Sequence, residues 1–257
     1  MSDQEPRKVF LAVSGMSPQI ITETLYALIQ EKHWIPDEVH LITTEQGKQN
    51  AVLQLLEGER HFQRLLKDYQ VNQPVLFSEQ NIAVIQDANG QVLADLRTPQ
   101  DNETAADTIC TVIRELTSDA DTELHVSLAG GRKTMGFYAG YALSLFGRPQ
   151  DRLSHVLVSE GYESLRDFFY PTPTTRVIYD RDGKSLDASK AQVWLAEIPF
   201  VRLRGGLSQS LLNGQHGFSE TVALARKATE KAHLQLFPTC GEYRMNGEPG
   251  KLRVRSF

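Results

Sequence analysis

Apolar residues fall into two alternating rhythms along the chain. Val9-Phe10-Leu11-Ala12-Val13 is an unbroken apolar run, of the length and kind that a strand covered on both faces requires. After Ser14-Gly15-Met16-Ser17-Pro18 the spacing becomes helical, with Ile20, Ile21, Thr24, Leu25 and Leu28 on one face. Ser17 suits the N-cap of that helix and Pro18 its first position. The same succession returns later. Leu124, Val126 and Leu128 alternate with His125 and Ser127, and Ala129-Gly130-Gly131 makes a turn. Met135, Tyr138, Ala142, Leu145 and Phe146 then recur at helical spacing until Gly147 and Pro149 stop the helix.

Between and after these units the alternation continues. Val39–Ile42 reads as a strand, and Gly47–Tyr69 as one long helix carrying Val52, Leu55, Leu56, Phe62, Leu65 and Leu66. Short strands are predicted at Pro74–Phe77 and Ile82–Ile85, a hairpin turn at Asn89-Gly90, and a helix over Asn102–Leu116 capped by Asp101 or Asn102. Leu153–Val158 is the next strand. Near the end, Ser219 caps a helix through about Lys231, and two short strands flank Asn246-Gly247. Strands alternating with helices predict an α/β fold: a Rossmann-like, mostly parallel sheet with flanking helices, wound right-handed. The predicted division is a domain over 1–203 and a small C-terminal helix and hairpin segment over 204–257.

The glycine turn carries the chemistry. Gly130 and Gly131 let a ligand approach the backbone, and the first turn of the following helix offers N–H groups with a positive end-charge. Arg132, Lys133 and Thr134 stand in that turn, so the pattern predicts an anion site, best suited to phosphate. It is not a Walker A loop, which needs glycine where Arg132 and Ser127 stand, and it holds no dinucleotide fingerprint. Ser14, Ser17, Gln19 and Thr22 gather small polar groups where the first strand ends. In open parallel sheets ligands bind beyond the carboxyl ends of strands, so two such turns can form one site. Thr44 lies on a third carboxyl-edge turn, where it either reaches the ligand or caps a helix. Phe169 and Tyr170 either stack on a base or fill a small satellite core.

Composition narrows the classes. A net charge of −5 over 257 residues excludes a coat protein for long nucleic acid, which needs a broad basic face. Two cysteines, Cys110 and Cys240, are too few for a disulfide framework or zinc site, and Cys110 sits in an apolar helical register. The seven histidines show no metal-binding spacing, and His125 and His155 fall within strands. No catalytic metal and no cofactor are expected. No signal peptide or long apolar span is evident, which predicts a cytoplasmic protein with no membrane partner.

The pairing of SGMSPQIITETLYAL with SLAGGRKTMGFYAGYALSLFGRPQDRLSHVLVSEGYE resembles the CRISPR-associated Rossmann-fold (CARF) proteins, in particular their ring nuclease branch related to Csm-type effectors. The resemblance runs from about Arg7 to about Arg226. It implies a homodimer that binds a cyclic oligoadenylate across its two-fold axis and cuts it, with Tyr138 or Tyr141 near the seam. It also implies that 204–257 is similar to the start of a winged-helix-like segment. Within that reading a ribose 2′-OH attacks its own 3′-phosphate and leaves a 2′,3′-cyclic phosphate. Lys133 neutralises the phosphorane, Arg132 is a second cation, and Ser14 or Ser17 orients ribose or phosphate. Ser17, Gln19, Thr22, Thr44, Gly130, Gly131 and Thr134 complete the expected ligand contacts. No general base is evident among the residues, so turnover is expected to be slow. The competing reading is a sensor that binds the ring without cutting it. An Arg226-x6-His233 spacing matches the ribonuclease motif of HEPN domains, but only about fifty residues follow Leu203, too few for such a domain.

Overall fold

The computed structural model describes residues 5–163, 165–214, 216–229, 234–237, 242–245 and 248–251. Its first eight strands are β1 (Arg7–Val13), β2 (Glu38–Thr43), β3 (Ile82–Val84), β4 (Thr122–Ser127), β5 (Arg152–Val158), β6 (Val177–Tyr179), β7 (Ser185–Asp187) and β8 (Val193–Glu197). Six of them form one sheet in the order β3-β2-β1-β4-β5-β8. Every neighbouring pair is parallel except β5 with β8. The expected Rossmann-like, mostly parallel sheet is therefore present.

The unbroken apolar run of β1 follows from its place in the middle of that sheet. Phe10 and Ala12 enter the core on one face, and Val9, Leu11 and Val13 the core on the other. A strand covered on both faces has no polar side to alternate with. One face is covered by α1 (Gln19–Glu31), α2 (Glu45–Ala51) and α3 (His61–Asp68), which contribute Leu25, Leu28, Phe62 and Leu65. The other is covered by α4 (Pro99–Leu116) and α5 (Lys133–Phe146), with Ile109, Ile113, Leu143 and Phe146. The short α6 (Gln209–Asn213) and α7 (Phe218–Thr229) dock on this second layer. Arg114 fixes them there, donating to the carbonyls of Gly214 at 3.0 Å and His216 at 2.8 Å.

Several boundaries differ from those the sequence predicts, each for a local reason. Pro18 rather than Ser17 occupies the N-cap of α1, and Ser17 contributes its carbonyl to the Ser14 hydroxyl at 2.9 Å. The single helix predicted over Gly47–Tyr69 is three pieces. It is α2, a π-helical turn over Val52–Glu57, and α3, with a break at Gly58–Arg60 where Arg60 turns left-handed at φ 55°. Leu55, Phe62 and Leu65 still reach the same core, so the periodicity survives a break it cannot reveal. Pro74–Phe77 is not a strand but carries one isolated bridge, Leu76 to Glu38. The cap of α4 is Thr98, and Asp101 serves three residues on by accepting from the Thr98 N–H at 2.9 Å. Likewise Ser219 lies inside α7, whose first N–H, that of Phe218, donates to Asp107 Oδ1 at 2.6 Å. Phe168, Phe169 and Tyr170 are buried as core. Cys110 is fully buried, and burial pushes its thiol up to about 11.

The C-terminal strands are β9 (Leu234–Phe237), β10 (Glu242–Met245) and β11 (Glu248–Lys251), paired antiparallel in a sheet of their own. The predicted hairpin is the β10–β11 pair, and β9 is an additional strand. His233 and Cys240 lie outside the described residues.

Candidate functional site at the strand-order switch

From β1 the chain winds outward through β2 to β3, then returns to place β4 on the other side of β1. The carboxyl ends of β1 and β4 therefore flank the point where strand order reverses, the place where open α/β sheets leave a crevice. Both predicted turns arrive there and touch. A Cβ built on Gly15 would lie 3.4 Å from Gly131 Cα, and one on Gly130 would lie 3.2 Å from Ser14 Oγ. Gly130 and Gly131 sit at φ +100° and +73°, a region glycine occupies without strain.

The first turn is held rigid from below. Its Ser14 N–H donates to Ile42 O at 3.0 Å, and Thr43 Oγ1 donates to Gly15 O at 3.3 Å. Asn50 Nδ2 donates to Met16 O at 3.0 Å. Ser14 is buried, and its hydroxyl closes the turn on Ser17 O. Thr22 is fully buried and donates to Gln19 O at 2.9 Å, while Thr44 is buried and caps α2 by accepting from Gly47 N. These three hydroxyls thus serve the shape of the turns. The exposed polar groups are Ser17, on the first turn, and Arg132, Lys133 and Thr134, at the start of α5.

No side chain caps α5, so its N-terminal end faces outward. Arg132, in the N-cap position, is tied to Asp95 Oδ2 at 2.6 Å, and this bond chiefly holds the Asp95 carboxyl below the usual carboxylate range. Lys133 and Thr134 make no side-chain hydrogen bond or ion pair among the described residues. Tyr138 and Tyr141 pack on Phe218 of their own chain, at 4.9 and 5.5 Å between ring centres. Phe137 is the exposed aromatic residue of this helix.

Beside the crevice, on the α1 side, lies a cleft of about 1420 Å³. Ser17, Gln19 and Gly130 line it, so it opens from the two turns. Phe169, a stacking candidate in the sequence, lines it too, while three further walls are absent from the sequence-based expectation: Glu23 of α1, Gln54 of the π-helical turn, and His61 at the start of α3. Glu23 is 8% exposed with no partner among the described residues, and burial pushes its carboxyl up to about 8. His61 is pushed down to about 4, by burial first and then by the positive charge of Arg176. Its ring stacks on Phe169, 3.5 Å between centres and 8° from parallel. One signal for this wall is present in the sequence: Gln19 and Glu23 are one helical turn apart and share a face. Among the described residues no group of three His, Cys, Asp or Glu side chains is placed to hold a metal ion, and no helix is long and apolar enough to cross a membrane.

Comparison with known families decides the class. The CRISPR-associated protein NE0113 family matches residues 17–230, from the first turn through α7. The chain belongs to this family. The NE0113 match crosses residue 203, so α6 and α7 fall within what the family shares. No curated protein sequence matches the chain. Among solved structures, Enterococcus italicus Csm6 bound to cyclic hexa-2′-fluoro-hexa-dAMP is 14% identical, with a TM-score of 0.34 over 59% of this chain and 33% of that one. Can2 from Sulfobacillus thermosulfidooxidans, in complex with cyclic tetra-adenylate, is 12% identical, with a TM-score of 0.30 over 70% and 36%. A UDP-N-acetylglucosamine 2-epimerase from Listeria monocytogenes is 16% identical, with a TM-score of 0.31 over 59% and 31%. The chain spans about a third of the length of each of these proteins. Likenesses this weak carry no argument about function, and the epimerase among them makes the point.

Proposed function

We propose that this NE0113-family protein binds a cyclic oligoadenylate as a homodimer and cleaves it without a metal ion. The observation that carries the reading is the meeting of the two turns at the strand-order switch, with a helix start no side chain caps and a lysine unpaired among the described residues above it. Family membership supplies a CRISPR setting, and the resemblance of both turns to CARF ring nucleases supplies the type III signalling role and the ligand class.

The chemistry asks little of the protein. A ribose 2′-OH, turned in line, attacks the adjacent phosphorus and the 5′-oxygen of the next nucleotide leaves with a proton. The products are linear, ending in a 2′,3′-cyclic phosphate. Holding the hydroxyl in line and neutralising charge on the phosphorane are the two tasks. Lys133 Nζ is assigned to the phosphorane, with the N–H groups near Gly131 and the Thr134 hydroxyl. Ser17 is assigned to the ribose, and Ser14 to holding Ser17 in place. Arg132, already paired to Asp95, acts through the local positive field.

Incubation with cyclic tri-, tetra- and hexa-adenylate in EDTA, with products resolved by chromatography, tests the reading. Linear products ending in a cyclic phosphate support it. Intact ring co-eluting with the protein would convert it to a sensor, and a protein that binds no ring would overturn it. Calorimetry should give one ring per two chains, because a two-fold dimer matches the symmetry of a tetra-adenylate ring where a single pocket cannot. One ring per chain would overturn the shared site.

A further inference from the structure

We infer that the cleft beside α1 is an adenine-reading subsite, in which Gln19, Glu23, Gln54 and His61 contact the base of the bound nucleotide. The inference rests on the ring-binding reading above and adds which part of the ligand goes where.

Among the described residues, four buried side-chain polar atoms have no hydrogen-bond partner, and three of them belong to residues of this one cleft: Gln19 Oε1, Gln54 Oε1 and His61 Nδ1. A buried polar atom left unpaired is costly, so natural folds leave few of them. Three on residues of one cleft point to a ligand that completes them when their side chains turn toward it.

Their chemistry says which ligand group fits. The Gln19 amide is oriented by its Nε2, which donates to Arg166 O at 3.0 Å, so Oε1 is an acceptor. His61 is neutral at physiological pH, and its Nε2 faces Glu59 Oε2 at 3.6 Å. That carboxylate favours the proton on Nε2 and leaves Nδ1 as an acceptor too. Gln54 makes no side-chain hydrogen bond among the described residues, so its amide is free to turn either its oxygen or its NH2 to a ligand, and with the oxygen inward it is the third acceptor. A phosphate, with acceptors only, does not satisfy these three atoms, although Arg166 and Arg181 also line the cleft. Phosphate belongs at the start of α5, where donors are exposed. The cleft takes a group that carries N–H.

Glu23 sharpens the choice. With its carboxyl raised to about 8 it is mostly protonated at neutral pH, presenting one O–H donor beside one C=O acceptor. Adenine presents the complement, an exocyclic amine beside a ring nitrogen, as it does to an amide side chain. Guanine, uracil and hypoxanthine place a carbonyl where that amine stands, and a carbonyl would meet acceptors. The stacked rings of His61 and Phe169 add an aromatic wall to the same cleft, of the kind on which a base packs. The volume exceeds what a small ligand needs, and Gly130 joins the cleft to the phosphate turn.

The test compares cyclic tetra-adenylate with cyclic tetra-inosinate by calorimetry. The wild type should prefer the adenine ring by roughly 10- to 100-fold. Gln54→Leu and Glu23→Leu should bring that preference close to one. Glu23→Gln should retain it, since an amide keeps one donor and one acceptor, and this rescue separates base reading from mere packing. Circular dichroism confirms that each variant is folded. Retention of the full preference in Gln54→Leu and Glu23→Leu would overturn the subsite. Equal affinity of the wild type for both rings would also overturn it and leave ring binding standing. A wild type that binds neither ring would overturn both readings.

Discussion

The start of α5 and the cleft beside α1 adjoin at Gly130, yet they are built from opposite materials. At α5 the donors are backbone N–H groups and an exposed lysine, needing neither burial nor partners to attract an anion. In the cleft three buried acceptor atoms, Gln19 Oε1, Gln54 Oε1 and His61 Nδ1, have no partner among the described residues, and Phe169, Ile20 and Leu165 line the same walls. Exposure suits a phosphate group, which every nucleotide carries and which needs affinity more than discrimination. Burial suits the base, because rejecting the wrong one requires that a mismatch strand a desolvated polar atom. Division of labour of this kind predicts that variants at α5 change rate and overall affinity, while variants in the cleft change preference.

The largest expected effect is at α5. Lys133→Ala should slow ring cleavage by roughly 100-fold or more, as loss of one group stabilising transition-state charge does. The melting temperature should stay unchanged, because Lys133 is exposed and unpaired. Arg132→Ala should cost less, since its guanidinium is already committed to Asp95. Single-turnover rates for the two variants check the order, and a Lys133→Ala variant cutting at the wild-type rate would remove it from the mechanism.

The next effect is a pH dependence of stability that belongs to the cleft alone. The Glu23 carboxyl is raised by burial to about 8 in the folded chain, against an ordinary value of 4.5. Between those values the folded state holds a proton that the unfolded state has released, so stability falls as pH rises. The two histidines of depressed pKa, His61 and His125 at about 4, act with the opposite sign but only below their ordinary 6.5. From pH 6.5 to 8 the decline should therefore track Glu23, amounting at most to about 2 kcal/mol at about 1.4 kcal/mol per pH unit. Denaturant midpoints across this window should drop in the wild type and stay level in Glu23→Gln. Equal slopes would mean that the carboxyl is solvated.

The two regions also differ in how legible they are in the amino-acid sequence. Glycines at positive φ and a lysine after them announce themselves, because special backbone conformations require special residues. So does β1, whose unbroken apolar run of five, ended by Ser14-Gly15, has the length of a strand covered on both faces. The cleft carries no such signature. Its walls come from α1, the π-helical turn and α3, and the chain break at Gly58–Arg60 that turns His61 inward leaves the apolar periodicity intact. Periodicity reports which residues face a core, not whether one helix or two carry them. Histidine spacing is equally silent, because His61 works through neighbours distant in sequence, Phe169 and Arg176.

Gly131→Ala should have a smaller effect, at the join between the two regions. At φ +73° an added Cβ strains the backbone by roughly 1–2 kcal/mol, and it would meet Met135 Sδ at 3.1 Å, which a flexible thioether can yield. Ring affinity should fall while the adenine preference is kept, since the base wall is untouched. A change in preference instead would mean that the two regions are not separable.

The smallest effect tests the first turn, where two serines that look alike in sequence differ in role. Ser14 is buried and its hydroxyl holds Ser17 O at 2.9 Å, whereas the Ser17 side chain is exposed and makes no bond of its own among the described residues. Ser14→Ala should therefore lower folding stability by about 1 kcal/mol, the net worth of one such hydrogen bond, and slow cleavage slightly by loosening the turn. Ser17→Ala should leave stability unchanged and weaken only ring binding. Denaturant midpoints paired with ring titrations separate the two, and equal stability of both variants with the wild type would mean that the hydrogen bonds of Thr43 and Asn50 alone hold the turn.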